Sequence, residues 1–384
     1  MNFLLPEALV EDLKRFKEFL GRNLVLNLQR WYEDGAIPHS FFQELGKEGW
    51  LGIVATNGGF QEQTALKQAV LMEYLARLSP GIAVAVAVQI SLGMKGLYLH
   101  GSEAQKAALL PSAILGETLV CLGNTEPTAG SDVANIATKA EQVNGGWMLN
   151  GTKAYATNGN ISDFALITAV SDPGAPRNQR LSMFLVDLSA QGVSRMKLHK
   201  MVWVPSDLTR LQFKNVFVPE ENLVGERGRG LQQVLNIFTH SRISITALTL
   251  GTAIGAFDLG FDHGKRRKIF GERMIDFQAK SFEVAHFFSK IEAARLMLRK
   301  ACWLKDQGED FRLESSVAKY LAVEVARETG VWAADLFGAA SVIFEHPIHK
   351  YPMDAWASSL GEGTQDVQKL IIFRELMKKA VIFD

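Results

Sequence analysis

Apolar residues recur at three- and four-residue spacing in the first third of the chain, at alternate positions in the middle, and at three and four again to the end. The first pattern predicts helices over 7–30, 39–49 and 64–78. The run "GIAVAVAVQISLGMKGLYL" (81–99) is apolar almost throughout, and Gln89, Ser91 and Lys95 interrupt it; it reads as a buried helix and not as a bilayer span. Ser102 in "SEAQK" is placed to cap a helix over 102–115. From about 119, glycine, asparagine and threonine rise, and β-rich runs appear at 146–159, 163–170, 181–188 and 210–219 between turn clusters. No helical stretch separates them, so an antiparallel β domain is expected. Helical periodicity returns over 230–267, 276–308, 313–338 and 365–380, in the manner of an up-and-down bundle. The fold class expected is therefore α+β multidomain: an N-terminal α-helical domain (1–118), a central antiparallel β domain (119–225) and a C-terminal four-helix bundle (226–384).

Composition narrows the function. The 384 residues carry 41 basic and 41 acidic side chains, and no basic tract stands out, so nucleic acid is not an expected partner. The hydrophobic fraction of 47% is that of a globular chain. Cys121 and Cys302 lie far apart and give no disulfide framework. The N-terminus has no basic segment followed by a long apolar core and reads as an amphipathic helix, so a cytoplasmic location, away from the membrane, is expected.

Several motifs fail their tests. "GERGRG" (225–230) lacks the order of a phosphate loop and follows a Pro-Glu-Glu turn. "AGSD" (129–132) is not a nucleophile elbow. His346 and His349 have no third ligand at a useful spacing, so no metal site is expected. An unusual feature remains in "GEGT" (361–364): one acid, Glu362, sits between two glycines just before the last helix. Alone, it reads as a solvated loop acid.

Four motifs change that reading. "NTEPTAGSD" (124–132), "NGTKAYATNG" (150–159), "RRKIFGERMIDFQA" (266–279) and "GEGT" follow one another in an order and at separations that resemble the acyl-CoA dehydrogenase family, as do "EYLARLSPG" (73–81) and "KNVFVPEENLVG" (214–225). The resemblance spans essentially the whole chain. It implies an FAD enzyme that oxidises an acyl-CoA thioester between Cα and Cβ, with hydride transfer to flavin N5. It also implies electron-transfer flavoprotein as acceptor and a homotetramer with sites at subunit interfaces. By the same resemblance, Glu362 is the base for the α proton and Gly363 helps the backbone reach the substrate. Thr125, Ser131, Tyr155, Thr157 and Thr364 meet the cofactor, with Ser131 also near the substrate. Arg267, Phe270 and Gln278 belong to the segment that serves a neighbouring subunit's FAD, with Arg267 at the pyrophosphate. Arg242 matches a substrate-side position. Some relatives carry the base on the long helix before that arginine; here Ser241 stands there and cannot serve.

The residue types suit these roles. Arginine pairs with phosphate through charge-assisted bonds, an aromatic ring offers a face for a flavin, and desolvation raises a carboxyl toward the range a base for a weak carbon acid needs. The chain also departs from the family. Asp335 and Ala339 replace a Gln and a Gly in "DLFGAAS", Met353-Asp354 replaces an Arg-Asp pair, and Asp366 replaces a Gln. The segments 52–66 and "KMVWVPSDL" (200–208) are also atypical. These departures leave room for a carrier-protein-bound or cyclic acyl substrate, an oxidase, or a non-catalytic relative.

Overall fold

The computed structural model describes residues 4–379. The first domain holds α1 (Glu7–Asn23), α2 (Leu28–Asp34), α3 (His39–Lys47), a hairpin of β1 (Ile53–Thr56) and β2 (Gly59–Glu62), then α4 (Ala65–Leu78), α5 (Pro80–Val88), α6 (Lys95–His100) and α7 (Glu103–Ile114). The hairpin was not expected; its four-residue strands, Ile-Val-Ala-Thr and Gly-Phe-Gln-Glu, are too short to give a period-two signal. The capping box at Ser102 forms as expected, with reciprocal bonds to Gln105. The apolar run 81–99 is helical and almost wholly buried. It is not one regular helix, because Gln89–Met94 widens to a π-helix. The cause is Gln89: its buried amide donates to the Thr118 carbonyl at 3.0 Å and accepts the Val120 N–H at 2.8 Å, so it serves the chain entering the next domain. Gly93 lies under that chain, and a Cβ there would stand 1.9 Å from the Val120 carbonyl oxygen.

The middle domain is an eight-stranded sheet of β3 (Val120–Gly123), β4 (Lys139–Val143), β5 (Gly146–Thr157), β6 (Phe164–Val170), β7 (Leu181–Asp187), β8 (Val193–Lys197), β9 (Leu208–Pro219) and β10 (Leu223–Val224). Most pairings are antiparallel, but β3 runs parallel to β6, and β4 meets β6 in parallel at Lys139↔Val170. The central β domain is antiparallel in the main, as expected, with these two parallel pairings in addition. β5 turns back on β4, and the short connection after β5 places β6 on β4's other edge, so parallel neighbours arise without a crossover helix.

The last domain holds α8 (Gly230–Arg266), a short hairpin of β11 (Lys268–Ile269) and β12 (Glu272–Arg273), α9 (Gln278–Asp306), α10 (Arg312–Phe337), α11 (Lys350–Ala357) and α12 (Gln365–Leu376). Residues of α8, α9 and α10 share one hydrophobic core with the N-terminal helices, from Phe19 and Leu45 to Leu248 and Ala322. The expected apolar stripe of α12 is not buried within this chain: only Gln368 is, and Leu370 and Phe373 are exposed. "GERGRG" is the linker into α8, with the Gly228 N–H donating to Ser182 Oγ at 2.9 Å. In a 3-10 turn, His346 Nδ1 accepts the Ile348 N–H at 3.3 Å and His349 Nδ1 lies 2.7 Å from the His346 carbonyl oxygen.

Candidate active site

Glu362 lies in a tight arch between α11 and α12. It takes a left-handed backbone, φ 49°, and Gly363 follows at φ 92°. A side chain on Gly363 would come within 2.8 Å of Gln368 Nε2 and Val367 Cγ1, so the position admits only glycine. Thr364 ends the arch as N-cap of α12, its Oγ1 accepting the Val367 N–H at 3.4 Å. Among the described residues none accepts from the Glu362 amide.

Two buried cations face this arch. Arg242 on α8 is 4% exposed, and its Nη1 donates to Ser315 Oγ at 3.3 Å. Burial pushes the Arg242 guanidinium down to about 10 against the pull of Glu362. Lys319 on α10 is fully buried and donates to the Gly361 and Gly363 carbonyls. Burial raises the Glu362 carboxyl above its ordinary value, while Lys319 and Arg242 pull it back. Lys319 was not foreseen from the sequence, although a signal existed: it shares a helical face with Ser315, Ala322 and Ala326, all buried.

A second group gathers Thr125, Ser131, Tyr155 and Thr157. The Ala154 N–H donates to the Thr125 carbonyl at 2.8 Å, which fastens the loop to β5. Glu126, also missed, anchors the same loop from inside. Its carboxylate accepts the N–H groups of Ala137 (2.6 Å) and Thr138 (3.0 Å) and the ammonium of Lys153 (2.7 Å). Burial alone would raise the Glu126 carboxyl, but Lys153 and these donors hold it below its usual range. Thr125 is half-buried, and Ser131 is exposed beside the Asp132–Arg177 ion pair. The β5–β9 register slips between Lys153 and Ala156, and Tyr155 is the left-handed residue of that bulge at φ 59°. Its ring is 61% exposed. Thr157 follows, half-buried and paired with Leu208.

The third group stands apart, on the hairpin after α8. Phe270 is at its tip, left-handed at φ 50° and 95% exposed. Arg267 is exposed and has no acidic partner among the described residues, and Gln278 opens α9, also exposed. Two strained aromatics held toward solvent, with hydroxyls beside one and unpaired arginine beside the other, fit the flat ring and the diphosphate of FAD. The acidic departures do not oppose it strongly. Asp366 is exposed and carries its own counter-ion, Lys369, at 3.1 Å, and Asp335 is exposed.

Comparison with known proteins finds matches along nearly the whole chain. Family models described as the N-terminal, middle and C-terminal domains of acyl-CoA dehydrogenase match residues 10–117, 121–216 and 228–377. The probable acyl-CoA dehydrogenase YngJ of Bacillus subtilis is 30% identical over 381 residues, covering 98% of this chain and 100% of that one. CarC, a subunit of the caffeyl-CoA reductase-Etf complex of Acetobacterium woodii, is 32% identical and covers 99% and 100%. The solved butyryl-CoA dehydrogenase of Megasphaera elsdenii superposes with a TM-score of 0.93 at 29% identity, covering 98% and 100%. A glutaryl-coenzyme A dehydrogenase in complex with glutaryl-CoA gives 0.93 at 28%, covering 98% and 97%.

Proposed function

This chain belongs to the acyl-CoA dehydrogenase family and is an FAD-dependent oxidoreductase, and from that premise we propose that it converts an acyl-CoA thioester to the 2,3-enoyl thioester with Glu362 as the base. The observation that carries this reading is the left-handed, half-buried Glu362 between glycines, facing the buried cations Arg242 and Lys319. Desolvation makes the carboxylate a stronger base, and Arg242 and Lys319 keep it ionised to act. The Cα–H bond breaks, its proton passes to the Glu362 carboxylate, and the electron pair left behind forms the Cα–Cβ double bond as the Cβ hydride departs. FAD, when bound, supplies the two-electron oxidant for that hydride. The free Glu362 amide is a donor for the thioester oxygen as negative charge develops there.

Thr125, Ser131, Tyr155, Thr157 and Thr364 are assigned to the cofactor, with Ser131, Arg242 and Gly363 on the substrate side. Arg267, Phe270 and Gln278 are assigned to the FAD of a second copy. The exposure of Phe270 supports that assignment, since a single chain gains nothing from a strained ring in water. A homotetramer is proposed on the same ground. Electron-transfer flavoprotein is proposed as acceptor because CarC belongs to a reductase-Etf complex. The deciding experiment is an anaerobic titration of the yellow protein with butyryl-, octanoyl- and glutaryl-CoA, followed by flavin absorbance. Bleaching with one of them supports the reaction and identifies the acyl class. No bleaching with any acyl-CoA would sink it in favour of a carrier-bound or atypical thioester.

A further inference from the structure

Every carbonyl of the Gly361–Gly363 arch is held by a buried side-chain donor. Lys319 Nζ donates to the Gly361 oxygen and, at 2.5 Å, to the Gly363 oxygen. Gln368 Nε2 donates to the Glu362 oxygen at 3.1 Å and to the Gly363 oxygen at 3.0 Å. Lys319 and Gln368 are both fully buried. The left-handed backbone of Glu362 is strained, and such strain persists only where the surroundings over-determine it. These two donors are what over-determines Glu362. A buried ammonium is also expensive, and an apolar side chain would fill this face of α10 more cheaply. Hydrogen bonding to the arch would explain one donor there. It does not explain why the donor carries a charge, since neutral Gln368 already makes the same kind of bond.

We infer that Lys319 is a positioning residue for the reaction: its ammonium clamps the two carbonyls that flank Glu362 and, as a fixed cation, keeps that carboxylate ionised and in place. This rests on the reading of Glu362 as base. Without the clamp the arch is free to relax toward a right-handed backbone, which displaces the carboxyl, and displacements of about 1 Å cost on the order of 100-fold in rate. Without the cation, Arg242 is the one positive charge left among the groups that act on Glu362, and the carboxyl is protonated at higher pH.

The test compares FAD-loaded wild type, Lys319→Met and Gln368→Met by two readouts. The first is deuterium exchange of the peptide covering 358–366. The second is the pH profile of anaerobic flavin bleaching with whichever of butyryl-, octanoyl- or glutaryl-CoA reduces the wild type. Lys319→Met is expected to exchange at least about tenfold faster over 358–366 and to bleach on the order of 100-fold more slowly. Its acidic limb is expected to move up by about one pH unit or more. Gln368→Met is expected to speed exchange and leave the acidic limb in place, because it removes a tether and no charge. If Lys319→Met does not fold, Lys319→Gln serves instead, and its limb is expected to move while exchange changes little. An unmoved limb in the folded Lys319 variant, with exchange as in wild type, overturns the inference. If no acyl-CoA bleaches the wild type, the reading of Glu362 fails separately, and unchanged exchange over 358–366 in folded Lys319→Met, which has no donor for the two carbonyls, still overturns the clamp.

Discussion

Asp354 accepts the backbone N–H of Trp203 at 2.6 Å, and through this bond α11, which leads into the Glu362 arch, is tied to the middle domain. Trp203 is left-handed there, φ 50°. Asp354 is 2% exposed, and Lys350 and Lys200 both act on it electrostatically. Burial raises its carboxyl to about 7, and it raises the carboxyl more than the Trp203 N–H and the two lysines lower it. The Met353-Asp354 departure thus keeps the acid, and the acid has structural work.

This placement sets a pH dependence. The folded value is raised above the ordinary one, so the proton on Asp354 favours the native state. That stability is fully present below about pH 4 and is lost as pH rises through 7. Asp354→Asn keeps an acceptor for Trp203 and cannot ionise. The melting temperature of the variant, relative to wild type, is expected to rise between pH 5 and pH 7.5. Calorimetry at both pH values checks this, and a constant difference would show that Asp354 does not titrate in that window. Above pH 8 the comparison would mix in Lys350 and Lys200, which burial lowers to about 8.

Glu362→Gln removes the base and little else. It is expected to keep FAD colour and to bind acyl-CoA with affinity near wild type, while the rate of flavin bleaching falls by about 100- to 10,000-fold. Stopped-flow reduction with the acyl-CoA that reduces wild type measures it. A wild-type rate would remove Glu362 from the mechanism.

Tyr155 pays for its bulge. Tyr155→Gly is expected to stabilise the apoprotein by up to about 1 kcal/mol, because glycine accepts φ 59° without strain. FAD affinity is expected to fall, since the exposed ring is lost. Denaturant unfolding without FAD and a flavin fluorescence titration give the two numbers, which should move in opposite directions.

Lys153 and Glu126 form a buried ion pair, and both are needed by the 124–132 loop. Lys153→Met leaves Glu126 buried with no cation and is expected to cost about 3–5 kcal/mol. Adding Glu126→Gln should recover part of that loss, because the amide oxygen still accepts from Ala137 or Thr138. A double-mutant cycle in urea reads the coupling, and strict additivity would show that the pair does not interact.

The sequence by itself determined the succession of helical, β and helical segments, because periodicity and turn residues are local properties of the chain. It also carried the motifs, since "GEGT" and "NTEPTAGSD" are contiguous, and it pointed to Glu362, Thr125 and Tyr155 as residues. Tertiary structure decided what the periodicity cannot encode. The parallel β3–β6 pair depends on where a hairpin returns, and the π-helix depends on Gln89 reaching Val120. Lys319 lies 43 residues before Glu362 and meets it only when α10 packs beneath the arch. The charge environment of the candidate base is likewise tertiary: desolvation and two cations from α8 and α10 converge on one carboxyl, and no spacing along the chain records that convergence.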